Sequence, residues 1–144
     1  MVDTLDFATD IFAQRTSLTQ PNPVSALSTL NQAHLSAIIS YQYLTDSWDE
    51  DGAIAPNRQT VLSALDIALL LTVTGQMIYQ TAPGPVGEIM INLRSGDKSA
   101  ELLMYPNGHG KFVWIAPDEI PRQGVLTSNS LQKTLQWINP QSID

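Results

Sequence analysis

The sequence predicts a single α+β domain in which two long antiparallel helices, flanked by short terminal helices, pack on a three- to four-stranded antiparallel meander. Apolar residues recur at helical spacing through 24–81, on both sides of an acidic connector. From Gly87 they alternate with polar residues instead, and Asn107-Gly108 lies between two apolar runs as a hairpin signal. The 144 residues are divided into an N-terminal arm at 1–20, a helical hairpin at 24–81, the meander at 87–116 and a C-terminal helix at 128–139.

Composition and charge exclude several classes of protein. The chain has no cysteine and is 43% hydrophobic, so we expect a folded domain without disulfides or thiolate metal sites. A net charge of −7 repels phosphate backbones, which argues against nucleic-acid binding. The N-terminus shows no signal-peptide pattern, and the longest apolar run, 67–71, is far shorter than a membrane span. We therefore expect a soluble, cytoplasmic protein that binds no membrane.

Four segments are predicted to be helical. The N-terminal arm carries an apolar stripe at helical spacing, formed by Leu5, Ala8, Ile11 and Phe12. The first long helix is expected over 25–45, and the second over 57–79, where a Pro-Gly-Pro segment stops it. Ser128 or Asn129 caps the final helix, whose apolar residues again recur at helical spacing.

Three strands are predicted in the meander, and 122–127 is expected to add a short edge strand. If Asn107-Gly108 is a two-residue loop, Leu102 faces Val113, and opposed residues point to the same side of the sheet. One face is then apolar throughout and is expected to lie against the helices: Ile89, Ile91, Leu93, Ala100, Leu102, Met104, Val113 and Ile115. The other face carries a mixed set with large aromatics: Met90, Asn92, Arg94, Glu101, Leu103, Tyr105, Phe112 and Trp114.

The carboxylates of the acidic connector at 45–56 form a candidate metal-binding site. Ser47-x-Asp49-x-Asp51-Gly52-x-Ile54 matches the first eight positions of an EF-hand loop, with serine instead of aspartate at position one. Asp46, Asp49 and Asp51 are the candidate ligands for a divalent cation. Position twelve of such a loop is Arg58 here rather than a bidentate glutamate. A cation at that position leaves the coordination shell open and repels the ion.

The same connector also has a structural interpretation. Trp48 can pack in the crevice between the helices, and Gly52 can supply a positive φ. Asp49 or Asp51 can accept backbone N–H bonds within the turn, and Asn57 can cap the helix that follows Pro56. We favour this fold-stabilising role for the connector, because each of its residues then has its own mechanical reason to be there.

The connector is also the start of a family resemblance. Residues 40–115 resemble a family of small uncharacterised bacterial proteins through Trp48-Asp49-x-x-Gly52-Ala53-x-x-Pro56 and, after a helix and a proline-rich break, Gly87-x-Ile89-x-Ile91. That family has a W-D-G-x-G-A connector and a later G-x-I-x-L-x-W strand, so Glu50 replaces a glycine here, and Leu93 or Arg94 replaces the tryptophan. The resemblance implies one α+β domain of bacterial or mobile-element origin, and it implies no particular activity.

The sequence lacks the common signatures of catalysis. Its two histidines are His34 and His109, and neither has a second histidine at the spacing of a metal pair. There is no G-x-S-x-G, H-E-x-x-H or P-loop motif. We therefore expect no enzyme activity and no cofactor, and we interpret His109 as an exposed residue of the hairpin turn.

Two functional hypotheses follow. In the first, the chain is a non-catalytic protein-interaction module, for instance an immunity or antitoxin-like inhibitor that occupies a basic partner. Its partner-binding residues are then predicted on the aromatic sheet face: Arg94, Glu101, Leu103, Tyr105, Phe112 and Trp114. In the second, the chain binds a small ligand or a divalent cation through the connector carboxylates. The sequence leaves open whether a terminal helix covers the aromatic face and whether the chain forms a homo-oligomer.

Overall fold

The computed structural model describes residues 23–140, with side chains from residue 29 onward except that of residue 30. Its helices and strands, in chain order, are α1 (Pro23–Ser40), a 3-10 helix (Tyr41–Tyr43), α2 (Arg58–Val73), β1 (Gln80–Pro83), β2 (Ile89–Ser95), β3 (Lys98–Met104), β4 (Gly110–Ile115), β5 (Arg122–Val125) and α3 (Ser128–Ile138). The predicted α+β class is confirmed. The predicted N-terminal arm, at 1–20, lies outside the described residues.

The five strands form one antiparallel sheet in the order β1-β2-β3-β4-β5. The predicted number of three to four strands is wrong, because β1 lies where the sequence predicts the end of a helix and a proline-rich break. Helix α2 ends at Val73 instead, since Gly75 adopts a left-handed φ of 90° that cannot continue the helix. Pro83 is tolerated in β1 because this strand is at the edge of the sheet.

The pairing of β3 with β4 differs from the predicted register by one residue. Leu102 faces Phe112 rather than Val113. Because successive residues of a strand point to opposite faces, this shift turns every side chain of β4 over. The predicted inward placement of Val113 and Ile115 is therefore wrong, and so is the predicted outward placement of Phe112 and Trp114.

The hairpin loop explains the shift. A two-residue type I′ loop needs a positive φ at both Asn107 and Gly108, but of the two only Gly108 has one, at 86°. The Gly108 N–H donates to Tyr105 O at 3.0 Å, and the Tyr105 N–H donates to His109 O at 2.9 Å. These bonds close a three-residue loop in which a type I turn is followed by a left-handed glycine, and Pro106 occupies the position that this turn favours for proline.

The inner face of the sheet is the face that the three helices cover. The buried cluster that joins sheet and helices comprises Ile38, Val61, Ala64, Ala68, Leu71, Ile78, Ile89, Ile91, Leu93, Ala100, Leu102, Met104, Leu131 and Ile138. Phe112 and Trp114 pack against it, and the Trp114 ring stacks on Trp137 of α3 with 5.0 Å between centroids. The opposite side of the sheet, called the outer face below, therefore carries none of the described helices.

Candidate functional site

The connector between α1 and α2 is a closed loop held by its own side chains. Asp49 Oδ1 accepts hydrogen bonds from the backbone N–H groups of Asp51 and Ala53, both at 3.0 Å. Asp46 Oδ1 accepts from the Ala55 N–H at 3.0 Å. The backbone donors hold the pKa of Asp49 below its ordinary value, because they stabilise the ionised carboxylate. Both carboxylates thus serve the loop itself.

The predicted roles of Gly52 and Asn57 are confirmed, whereas packing of Trp48 between the helices stays a prediction. Gly52 has a φ of 84°, and Pro56 is buried. The Trp48 Nε1–H donates to Ile54 O at 3.4 Å, so the indole closes over the same loop. Asn57 caps α2, because its side-chain oxygen accepts a backbone N–H of the first turn at 2.8 Å. The connector therefore sets the path by which the chain enters α2.

The geometry gives the cation-binding hypothesis no support. Within residues 23–140, no group of three or more histidine, aspartate or glutamate side chains is arranged to hold a metal ion. Asp46, Asp49 and Asp51 are close in sequence, but the first two direct carboxylate oxygens at the loop backbone. Cation binding by the connector stays a prediction from sequence.

We expect Asp49→Ala to lower the melting temperature by a few degrees, because two loop N–H groups lose their acceptor. Asp51→Ala is the matched control, since it removes the same charge two positions away. The folded-state pKa of Asp49 is lowered, so its contribution is present above about pH 3.9 and is lost as the pH falls through the folded pKa. Thermal melts at neutral and acid pH measure this, and equal melting temperatures for the two variants at neutral pH would contradict the role of Asp49.

The outer face presents two rows of side chains that cross all five strands. The strand pairings place in one, mostly apolar row Ala82, Met90, Leu103, Lys111 and Val125. They place in the next, mostly polar row Gln80, Asn92, Glu101, Val113 and Gln123. Val125 is 67% exposed, and Ile115, beyond the polar row, is 38% exposed. The outer face is thus an amphipathic surface with aliphatic side chains open to solvent.

The predicted partner-binding residues do not share one face. Three of them lie on the outer face: Arg94, Glu101 and Leu103. Phe112 and Trp114 point inward and pack against the core, so the predicted aromatic sheet face is wrong. Tyr105 follows β3 and lines a groove beside the sheet. The one-residue change in the hairpin loop is the physical cause, because it reverses β4 alone.

Asn92 holds an unsatisfied acceptor within the polar row of the outer face. Its side chain is 5% exposed, and its Nδ2 donates to Ser99 Oγ at 2.9 Å. No group of the described residues donates to Asn92 Oδ1. Glu101 lies directly opposite on β3, so the two residues are neighbours on the outer face. The Glu101 side chain is half-buried rather than buried, and its carboxylate favours a cationic hydrogen-bond donor at this position.

A groove of about 410 Å³ lies between α2, α3 and the β3–β4 hairpin. Its polar lining comprises Gln59, Ser63, Asp66, Thr74, Tyr105, His109, Thr127, Ser128 and Gln132. Its apolar lining comprises Ile67, Leu70, Met104, Leu126, Leu131 and Leu135. Burial raises the pKa of the Asp66 carboxyl above its ordinary value. Sequence reasoning missed this groove, although a single aspartate inside the apolar stretch 61–73 was a signal for it.

The described helices and the comparisons with known proteins do not assign the chain to a class of proteins. Among the described residues, no helix has both the length and the apolarity that crossing a bilayer requires. The resemblance to small bacterial proteins stays a prediction. No protein-family model matches the chain, and no curated protein or solved structure matches it significantly.

Proposed function

We propose that this chain is a non-catalytic protein-interaction module that docks a basic partner protein on the outer face of its sheet. The observation that carries the proposal is that none of the described helices packs on the outer face, since they all pack on the other side of the sheet. A mostly apolar row crosses this face on all five strands. Burial of exposed aliphatic side chains such as Val125 and Ile115 against a partner contributes favourably to the free energy of binding.

The charge of the chain supports a basic partner. A net charge of −7 attracts a cationic surface and speeds the encounter with it. On the outer face, the half-buried Glu101 carboxylate offers a position for an arginine or lysine of the partner. Arg94 and Lys111 lie on the same face, so they limit where the cations of that partner can sit.

An immunity or antitoxin-like inhibitor is the most concrete form of such a module. A protein of this kind acts by occupying the surface of its target and needs no catalytic group. Acidity is expected when the target is a basic toxin or nuclease, because opposite charges steer the two proteins together. The absence of cysteine is compatible with action in the reducing cytoplasm.

The experiment is capture of partner proteins from a host lysate by the full chain and two double variants. Val125→Lys/Ile115→Lys places two cations on the outer face. Leu62→Lys/Ile120→Lys is the matched control, because it makes the same charge change at exposed apolar side chains outside the five strands. We expect the wild type and the control to recover the same basic protein and the outer-face variant to lose it. Recovery should also fall at about 0.5 M salt, which screens exposed charges.

Each other outcome has a defined meaning. Recovery of the same proteins by the outer-face variant would show that the proposed surface is wrong, and recovery of acidic proteins alone would contradict the proposed charge of the partner. Analytical sedimentation distinguishes binding of a partner from self-association. If the wild type is a dimer and the outer-face variant is a monomer, the outer face binds a second copy of the chain. An inhibitor is expected to block the activity of the purified partner at equal molar amounts.

A further inference from the structure

We propose that the groove between α2, α3 and the β3–β4 hairpin binds a small organic cation, that is, an apolar body that carries a protonated amine. The groove lies on the helix side of the sheet, apart from the outer face, so this site is additional to the proposed interaction surface. Its volume of about 410 Å³ is within the range of small-molecule pockets, which run from about 300 to 1,000 Å³.

Aliphatic side chains from two helices provide the apolar part of the site. Ile67 and Leu70 come from α2, whereas Leu131 and Leu135 come from α3. Met104, at the end of β3, adds to this lining. Such surfaces hold the hydrocarbon part of a ligand by removing it from water, without requiring a particular hydrogen-bond pattern.

Asp66 supplies the charge that selects the ligand. No lysine or arginine of the described residues lines the groove beside it. Its carboxylate accepts no hydrogen bond from the described residues, while burial raises its pKa. A partly buried carboxylate of this kind favours a cationic ligand, because the cation replaces the hydration that burial removed.

Two neutral side chains add hydrogen-bond acceptors to the lining of the groove. Tyr105 and Gln132 line the same groove, and each has an oxygen that can accept a hydrogen bond. An alkylammonium group has three N–H donors, which one carboxylate and two neutral acceptors can satisfy. The ligand class is therefore a primary amine on an apolar body. A phosphate or carboxylic acid is disfavoured, because it would bring a second negative charge beside Asp66.

The experiment titrates three probes that share a benzene ring into the full-length, ¹⁵N-labelled chain: 2-phenylethylamine, 2-phenylethanol and phenylacetate. The amine is expected to shift the amide resonances of Asp66, Gly110 and Leu131 saturably, with a dissociation constant on the order of 1 mM. The alcohol is expected to bind about tenfold more weakly, because it lacks the charge-assisted hydrogen bond. Phenylacetate is expected not to bind.

Asp66→Asn tests the carboxylate directly. Asp118→Asn is the matched control, because it makes the same change at an exposed residue outside the groove. We expect Asp66→Asn to bind the amine and the alcohol equally and Asp118→Asn to retain the preference of the wild type. Equal binding of amine and alcohol by the wild type, an undiminished preference in Asp66→Asn, or the lack of any saturable shift would each overturn the proposal.

Discussion

Replacement of Trp114 by alanine is expected to lower the free energy of unfolding by about 3 kcal/mol, the lower end of the range for truncation of a large core aromatic. The indole contacts Phe112 and Trp137, with 5.2 and 5.0 Å between ring centroids. Its Nε1–H donates to Thr134 Oγ1 at 2.9 Å. Alanine leaves a cavity beneath α3 and removes this bond, whereas partial exposure of the indole keeps the loss moderate. Urea denaturation measures the loss as a lower midpoint with an unchanged slope.

Val113→Ala is the matched control at the neighbouring position of β4. The Val113 side chain points to the outer face, so its truncation is expected to cost less than about 1 kcal/mol. A two-residue hairpin loop requires the opposite order, because it places Val113 in the core and Trp114 in solvent. A larger loss of stability in Val113→Ala than in Trp114→Ala would therefore contradict the observed register.

Replacement of Asn31 by leucine is expected to cost about 4 kcal/mol, because leucine has a similar volume but no polar atoms. Asn31 is fully buried in α1, and its Nδ2 donates to Thr72 Oγ1 and Gln76 O, both at 3.0 Å. Its Oδ1 accepts from the Ile78 N–H at 3.0 Å. Leucine leaves the Gln76 carbonyl and the Ile78 N–H buried without these partners, and each such group costs about 1–3 kcal/mol.

Two measurements separate this effect from a general loss of helix stability. Gln32→Leu makes a comparable change at the exposed neighbouring position of α1, and it is expected to change stability by less than about 0.5 kcal/mol. Hydrogen exchange at the Ile78 amide is expected to accelerate in Asn31→Leu beyond the change in global stability. Unchanged protection of that amide would show that Asn31 does not hold the start of the sheet.

Asn31 also illustrates a kind of residue that sequence patterns do not reveal. Its partners are 41, 45 and 47 residues away along the chain. Helical periodicity describes which positions of α1 face inward, but it does not indicate which polar groups of α2 and the following segment arrive opposite them. The burial of an asparagine is favourable only because those distant groups satisfy it.

The β3–β4 hairpin contains two local sequence signals that favour different loop lengths. Asn107-Gly108 is typical of a two-residue loop, whereas Pro106 before it favours a type I turn and a three-residue loop. The inner faces of β2 and β3 are confirmed, because Ile91 and Leu102 are fully buried. β4 alone is reversed, because its register depends on the loop and its own alternation fits either face.

The sequence by itself determined the α+β class, the inner faces of β2 and β3, and the C-terminal helix. These features follow from the period with which apolar residues recur, and that period is a local property of the chain. Only the tertiary structure decided that the aromatic side chains of β4 point inward, that Gln80–Pro83 is a strand, and that Asp66 and Tyr105 line one groove. Each of these features depends on how segments far apart in sequence pair and pack, and no local pattern encodes that pairing.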